Sequence, residues 1–486
     1  MAGKQNSMIA DTRIYMFAEI LRNSVSLIML PIYTRFLTPE DYGSVELLSM
    51  IVDFAMIIFG ARATEAVFRF YCTSNSTKEK NEIIGSSLFL SFAMMSLGAA
   101  FVITLSEQLA LFVFDDGSYQ KYIVLFALTM VLMPLIEIPF AYIRAMQKAQ
   151  LFFNFSLFKL LVQVSLNIYF VVHLEMHVEG VIYSTLISSV IVSVLLTSYT
   201  IFSAGLRVTK KACAQLFSFS LPMKLATVGA FFLTFGDRYI LNIYTDLAQV
   251  GIYSLGYKFA FIFTILAWDT FEKMWDAEKY IVNKKPNAKV IYQNVFLYMN
   301  IVLFTVGLGF SLFVKDLLRI MSAPEFWPAY EIVPIIILAY IIQSWGRYCD
   351  LGIMLKKKTI QIAYAQWFAV FVVAIAYFVL IPEFGIAGAA WATLIGFSAQ
   401  FYWINKKGKE YYNMYLPWGK ILSIAVLAMV CFSFTILVPD NLLWSIILRL
   451  VIFILFCLML FVLPILSGQQ KIEIKNNVKR IFVRVN

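Results

Sequence analysis

The chain has 486 residues, of which 61% are apolar or aromatic and only 14% charged, against about 45–50% and about 25% in ordinary globular chains. A soluble core cannot hide that much apolar surface, and intrinsic disorder needs the opposite composition, so an integral membrane protein is left. The net charge of +10 sits in short loops between apolar runs and reads as membrane topology, not nucleic-acid binding; there is no zinc spacing, basic arm or RNA-binding motif.

A bilayer core needs about 20 apolar residues per helix. Fourteen runs meet this: 12–34, 44–70, 83–106, 120–146, 152–172, 180–203, 216–244, 250–277, 291–314, 331–354, 360–381, 387–404, 419–438 and 445–466. None shows the alternation of barrel strands, so the expected class is an all-α polytopic membrane protein of about 14 transmembrane helices. The first run carries Glu19 and Arg22 and lacks a small-residue cleavage site, which makes it a retained helix and not a signal peptide. Between spans 1 and 2, Thr38-Pro39-Glu40-Asp41 reads as a helix start: a Thr N-cap, Pro at the first position and acids in the first turn. The five cysteines are scattered without a C-x-x-C, which argues against a disulfide framework.

An even number of spans puts both termini on one side. The outer loops hold only Arg35, Lys121, Lys315 and Arg319, while the N-terminus, the alternate loops and the tail hold the other loop cations, Lys356, Lys357 and Lys358 among them. The positive-inside rule places both termini in the cytoplasm. After Pro464, Val478, Ile481, Phe482 and Val485 share one helical face, which suits either a helix lying on the anionic inner leaflet or a solvated basic tail.

A shift of 208 residues brings Gly43 onto Gly251, Met146-Gln147-Lys148 onto Met354-Leu355-Lys356, Gly180 onto Gly388 and Thr185-Leu186-Ile187 onto Thr393-Leu394-Ile395. One offset maps spans 1–6 onto spans 7–12 in the same orientation. Parallel repeats of this kind mark transporters, with substrate at the repeat interface near the midplane. The expected organisation is an N-lobe over 1–208, a C-lobe over 209–416, and spans 13 and 14 with a basic tail over 417–486.

Charge inside a span costs about 2.5–3.5 kcal/mol per residue on insertion scales, so such residues face a bundle interior or a wet cavity. Arg449, near a helix end, and Lys159, about 10 Å from its cytoplasmic end at 1.5 Å per residue, can snorkel instead. Arg22 lies about 15 Å into a first helix of about 34 Å, near the midplane, with Glu19 three residues earlier on the same face. Arg62, Glu65 and Arg69 form one stripe of span 2, with Glu46 and Asp53 on the opposite face. Span 4 has Glu137 between Pro134 and Pro139, with Arg144 on the same face; span 7 carries Lys224 and the adjacent Asp237-Arg238. Span 8 carries Lys258, Asp269, Glu272, Lys273 and Asp276 along one polar stripe, and span 10 has Arg347 and Asp350 at i, i+3. For each short pair an internal salt bridge competes with substrate contact. The cavity candidates are therefore Arg22, Glu19, Arg62, Glu65, Lys224, Asp237, Arg238, Lys258, Asp269 and Lys273. His173 and His177 sit at i, i+4 but lack the H-E-x-x-H pattern, so no metal is expected. Gly388, Ala392 and Gly396 form a small-residue stripe for close helix packing. Phosphate-loop, nucleophile-elbow and kinase motifs are absent from the sequence.

The run Leu30-Pro31-Ile32-Tyr33-Thr34-Arg35-Phe36-Leu37-Thr38-Pro39-Glu40-Asp41-Tyr42-Gly43, with Asp237-Arg238-Tyr239-Ile240-Leu241 and Val250-Gly251-Ile252-Tyr253-Ser254, resembles the bacterial polysaccharide flippases of the multidrug/oligosaccharidyl-lipid/polysaccharide exporter superfamily. The resemblance implies movement of an undecaprenyl-pyrophosphate-linked oligosaccharide from the inner to the outer leaflet of the cytoplasmic membrane by alternating access, for surface polysaccharide biosynthesis. Its implied partners are that lipid-linked glycan, the bilayer, and the polysaccharide polymerase and chain-length machinery of such a pathway. It implies no enzyme activity and no cofactor; Na⁺, H⁺ and the membrane potential are the open choices of driving force. In the related lipid II flippases, cavity arginines on the early helices and the eighth helix are implicated. Arg22 matches the first of these, span 2 has no basic residue before Arg62, and span 8 offers Lys258. The rival readings are a multidrug exporter of the same superfamily, against which spans 13 and 14 and the charged stripes argue, and a membrane-embedded glycan-processing enzyme, for which the outer loops are too short.

Two outcomes follow from the sequence. With Lys357→Cys, an impermeant thiol reagent labels the protein only from the cytoplasm, and with Ser118→Cys only from outside; the reverse would overturn the topology. Arg22→Ala sharply lowers glycan export at normal membrane abundance, and Arg22→Lys keeps part of it, since the charge survives without the bidentate fork. A structural pair with Glu19 would instead lower abundance, restored when both partners are removed.

Overall fold

The computed structural model describes positions 14, 15, 17, 18 and 21, and then residues 28–60, 63–437 and 442–463. Arg22, Glu19, Arg62 and the tail after Pro464 lie outside the described residues. The described chain is helical throughout and holds no strand. Its helices are α1 (Pro39–Phe59), α2 (Ala63–Thr73), α3 (Thr77–Thr104), α4 (Ser106–Phe114), α5 (Gln120–Leu132), α6 (Pro134–Ala145), α7 (Ala149–Asn167), α8 (His177–Ala204) and α9 (Lys210–Tyr244). They continue with α10 (Leu247–Phe263), α11 (Thr270–Val282), α12 (Ala288–Met321), α13 (Val333–Cys349), α14 (Leu351–Leu355), α15 (Ile360–Tyr411), α16 (Trp418–Ser433) and α17 (Leu442–Val462).

The start of α1 is built as its sequence dictates. Thr38 Oγ1 accepts the Asp41 backbone N–H at 3.1 Å, and the Asp41 carboxylate accepts the Thr38 N–H at 3.1 Å. This capping box closes the orphan donors of the first turn, and Pro39 fills the position where no donor is needed.

Among the described residues nine helices are long and apolar enough to cross a bilayer, or ten when the bent pair Pro324–Glu331 and Val333–Leu355 is one span. Helix α15 accounts for two expected spans: its 52 residues would extend about 78 Å at 1.5 Å each, over twice a bilayer core. Gly385, at φ 53° and ψ −127°, breaks it where only glycine is at ease. Helices α9 and α16 occupy the expected seventh and thirteenth spans. Every expected run after the first is met by helix over its described part, in keeping with an architecture of about 14 spans.

The chain divides into two compact units: unit 1 is Met1–Ser254 with Met321–Phe326, and unit 2 is Leu255–Ile320 with Trp327–Asn486. This boundary differs from the one near 208 expected from the repeat, because α9, first helix of the second repeat, packs against α1 and α3 of unit 1.

The repeat is written into local geometry. Within unit 1, a Cβ on Gly43 would lie 2.0 Å from the Leu247 carbonyl oxygen, and one on Gly251 would lie 2.0 Å from the Pro39 carbonyl oxygen. The two contacts are equivalent under a shift of 208, and each requires glycine because the crossing backbones touch. Two hydrogen bonds obey the same exchange: Thr34 Oγ1 donates to the Met321 carbonyl at 3.0 Å and Asn242 Nδ2 to the Val113 carbonyl at 2.6 Å. Further along, the register slips by two. Gln147 (φ 59°) and Lys357 (φ 55°) are the matching left-handed caps, so Met146 corresponds to Lys356 and not to Met354 as the single offset implied. The 208 register returns at His177 (φ 45°) and Gly385 (φ 53°), each three residues before the Gly180 and Gly388 that approach the preceding helix. A six-residue π-helix, Ile168–His173, lies in the longer hairpin of the first repeat.

Arg449 does not snorkel. It is 6% exposed and paired with the buried Asp316, which also accepts from Ser445 Oγ at 3.3 Å. This ion pair fastens α17 to α12 inside unit 2. Removing one partner of a buried pair costs about 3–5 kcal/mol. Arg449→Ala therefore lowers the melting temperature of the purified protein clearly, and Arg449→Met with Asp316→Asn recovers most of the loss; an unchanged melting temperature for the single variant would contradict the pairing.

Candidate functional site

Unit 1 holds a partly open cavity of about 520 Å³ lined by α1, α2, α3, α6 and α9. Two of its walls are spans that do not run straight through. The second span is interrupted after Phe59: Gly60 turns to φ −63° and ψ 145°, and α2 begins at Ala63. The fourth span breaks between α5 and α6 at Pro134, with Pro139 inside α6, since proline cannot donate to the carbonyl four residues back. The carbonyl released by Pro139 belongs to Leu135, and Thr197 Oγ1 donates to it at 2.8 Å.

Lys224 reaches the other break. Its Nζ donates to the Ile58 carbonyl oxygen at 2.7 Å, at the carbonyl end of α1, where a cation complements the helix dipole. Asp53, one and a half turns before that end, is exposed to the cavity. Glu65 and Thr64 line it from α2, joined by a 2.8 Å hydrogen bond from the threonine hydroxyl. Glu137 enters from α6, Ser91 and Met95 from α3, and Phe231 and Phe235 from α9, their ring centroids 5.2 Å apart. Membrane-embedded carboxylates, hydroxyls and an ammonium thus converge on one space, in the manner of transporter sites built on broken helices.

Of the expected site residues, Glu65 and Lys224 meet here. Asp237 and Arg238 do not. They are 0% and 3% exposed, and Asp237 accepts from Arg238 Nη1 at 2.9 Å and from Tyr253 Oη at 2.5 Å. Arg238 also donates to the Thr234 carbonyl at 3.0 Å and lies over the Phe235 ring at 5.0 Å. The pair is a structural tie between α9 and α10, the neutralised arrangement that leaves no charge for a ligand. Arg69 lies over Phe219 at 5.1 Å and Arg144 over Phe68 at 4.6 Å, both accounted for by aromatic packing. Lys258, Asp269 and Lys273 belong to unit 2, and Asp269 closes a π-helix, Thr264–Asp269. On α11, Glu272 pairs with Arg347 of α13 at 3.0 Å, and Lys279 lies 2.7 Å from Asp276 and 3.9 Å from Asp350. Arg347 and Asp350 thus take partners from α11 and not from each other. Burial works against the charge of Lys279, but the Asp276 hydrogen bond and the Asp350 carboxylate outweigh it and hold its pKa above the ordinary lysine value. His177 lies 3.4 Å from Asp41.

Asp53, Ser91 and Glu137 join the cavity although none was among the expected residues. Glu137 had a signal, an acid between two helix-breaking prolines. Asp53 was legible only as the face opposite Arg62, and a serine in an apolar run carries no signal at all.

The long apolar helices and this embedded polar cavity define a multi-pass membrane protein. Residues 8–268 match the profile of the polysaccharide biosynthesis protein family, more than half of the chain, and the chain belongs to that family. Comparison with curated proteins finds no sequence match. Among solved structures, the lipid II flippase MurJ in an inward closed conformation is similar over 93% of this chain and 97% of its own, with a TM-score of 0.73 and 14% identity. An inward-facing multidrug resistance MATE family transporter of the MOP superfamily is similar over 80% of this chain and 94% of its own, with a TM-score of 0.65 and 13% identity. At these identities the likeness concerns the fold.

Proposed function

We propose that the protein moves an undecaprenyl-pyrophosphate-linked oligosaccharide from the inner to the outer leaflet of the cytoplasmic membrane by alternating access, with both termini in the cytoplasm. The observation that carries the reading is membership of the polysaccharide biosynthesis protein family. The fold shared with a lipid II flippase supports it. Such a substrate joins a charged, hydroxyl-rich head to a long apolar tail. The tail can remain in lipid, whereas the head needs polar partners inside the membrane, and the cavity of unit 1 offers them.

The contacts at Gly43–Gly251, Thr34–Met321 and Asn242–Val113 lie at the ends of helices assigned to the outer side by the Lys/Arg distribution. In an alternating-access cycle they are the contacts that part when the outer side opens. No cofactor enters this reading beyond a coupling ion, Na⁺ or H⁺. Polymerase and chain-length machinery are the downstream partners it calls for.

A second reading, a multidrug exporter, draws support from the fold shared with a MATE transporter and from the cavity carboxylates, which suit a cation. Depletion separates the two. For a flippase, lipid-linked oligosaccharide accumulates in the cytoplasmic leaflet and surface polysaccharide falls several-fold, with drug sensitivity unchanged. Intact surface polysaccharide with raised sensitivity to cationic drugs would replace the flippase with the exporter.

A further inference from the structure

We propose that the cavity of unit 1 is a recognition site for a neutral pyranose, with Asp53, Ser91 and Lys224 bonding its hydroxyls and Phe231 and Phe235 carrying its apolar face. This rests on the flippase reading above and names the part of the substrate that the cavity takes.

A pyranose presents hydroxyls around its edge, each a donor and an acceptor, and C–H groups on its faces. A site for it needs strong acceptors, strong donors and an apolar wall in one cavity. The carboxylate of Asp53 is acceptor-only, with about four lone-pair positions, and it is exposed to the cavity with no protein hydrogen bond among the described residues. The ammonium of Lys224 has three donors, of which the Ile58 carbonyl takes one. Ser91 is the independent pointer to a ligand. It is 4% exposed, it lines the cavity, and its Oγ has no hydrogen-bond partner. Buried hydroxyls are seldom left so, because the lost hydration is not recovered; a hydroxyl brought by a ligand would complete it.

Phe231 and Phe235, 5.2 Å apart with their planes 36° from one another, supply the apolar wall. The volume of about 520 Å³ falls inside the range of about 300–1,000 Å³ typical of small-molecule sites. A diphosphate fits this wall less well than a sugar, since Asp53 would face its negative charge. The diphosphate and the glycan of one substrate are then read by different side chains.

The test compares two kinds of probe on the full-length protein in lipid nanodiscs: farnesyl diphosphate, and farnesyl diphosphate carrying a single glucose, galactose or N-acetylglucosamine. At least one conjugate binds about tenfold tighter than the sugar-free lipid, equivalent to about 1.4 kcal/mol. Asp53→Asn, which keeps shape and removes the charge, and Phe231→Ala each erase most of that gain, read as the ratio of conjugate to sugar-free affinity in the same variant. Ser91→Ala gives a smaller loss of the same kind. The proposal is overturned if no conjugate outbinds the sugar-free lipid, or if the gain survives both Asp53→Asn and Phe231→Ala; the flippase reading stands in either case. If no prenyl diphosphate binds at all, the flippase reading falls and this inference falls with it.

Discussion

Inside a bilayer no water is at hand for a backbone N–H or C=O, so any interruption of a helix must be answered by another protein group. The structure of unit 1 turns on that constraint. The second span leaves helical geometry at Gly60, and the Lys224 ammonium meets the Ile58 carbonyl just before it. The fourth span carries two prolines, and the carbonyl that Pro139 cannot use is taken by the Thr197 hydroxyl. Both interruptions open onto the same cavity. The groups that repair the backbone and the groups that line the cavity are therefore partly the same, and a ligand able to replace one of them has direct access to the break.

Charge is handled in two ways in this chain. Asp237 with Arg238, and Asp316 with Arg449, are buried pairs; the second joins α17 to α12 directly, and the first is tied to α10 through Tyr253. Such pairs cancel their own fields, and their cost of desolvation is offset only by close geometry and further hydrogen bonds, as from Tyr253 and Ser445. Asp53 and Lys224 are arranged otherwise. One faces open cavity and the other rests on a carbonyl, so both keep hydrogen-bonding capacity that a ligand can use. The distinction between pairing and facing a cavity separates structural from candidate binding residues here better than depth in the membrane does.

The internal repeat links the two levels. Its glycines persist because helix backbones come into contact at Gly43 and Gly251, where any side chain would force the helices apart. Its slip from 208 to 210 and back follows the positive-φ residues Gln147 and Lys357 and then His177 and Gly385. A two-residue change is absorbed in a loop, whereas the same change within a span would rotate every following side chain by about 200° at 3.6 residues per turn.

Much of this was legible in the residues alone. Apolar run length, the capping signal at Thr38 and the parallel repeat are local or periodic properties, and they carry directly into helices. Lys224 and Glu65 were identifiable as expensive intramembrane charges. What the sequence could not contain was which charge meets which. Arg347 and Asp350 stand at helical spacing, yet each finds its partner on α11; Arg449 looked free to reach the interface, yet Asp316 lies 133 positions away in the chain and beside it in space. Ser91 and Asp53 became part of a site only when α1, α3 and α9 were packed around a common space. Side-chain pairing across helices depends on the rotation and offset of each helix against its neighbours, and those are fixed by tertiary packing, not by any spacing within one span.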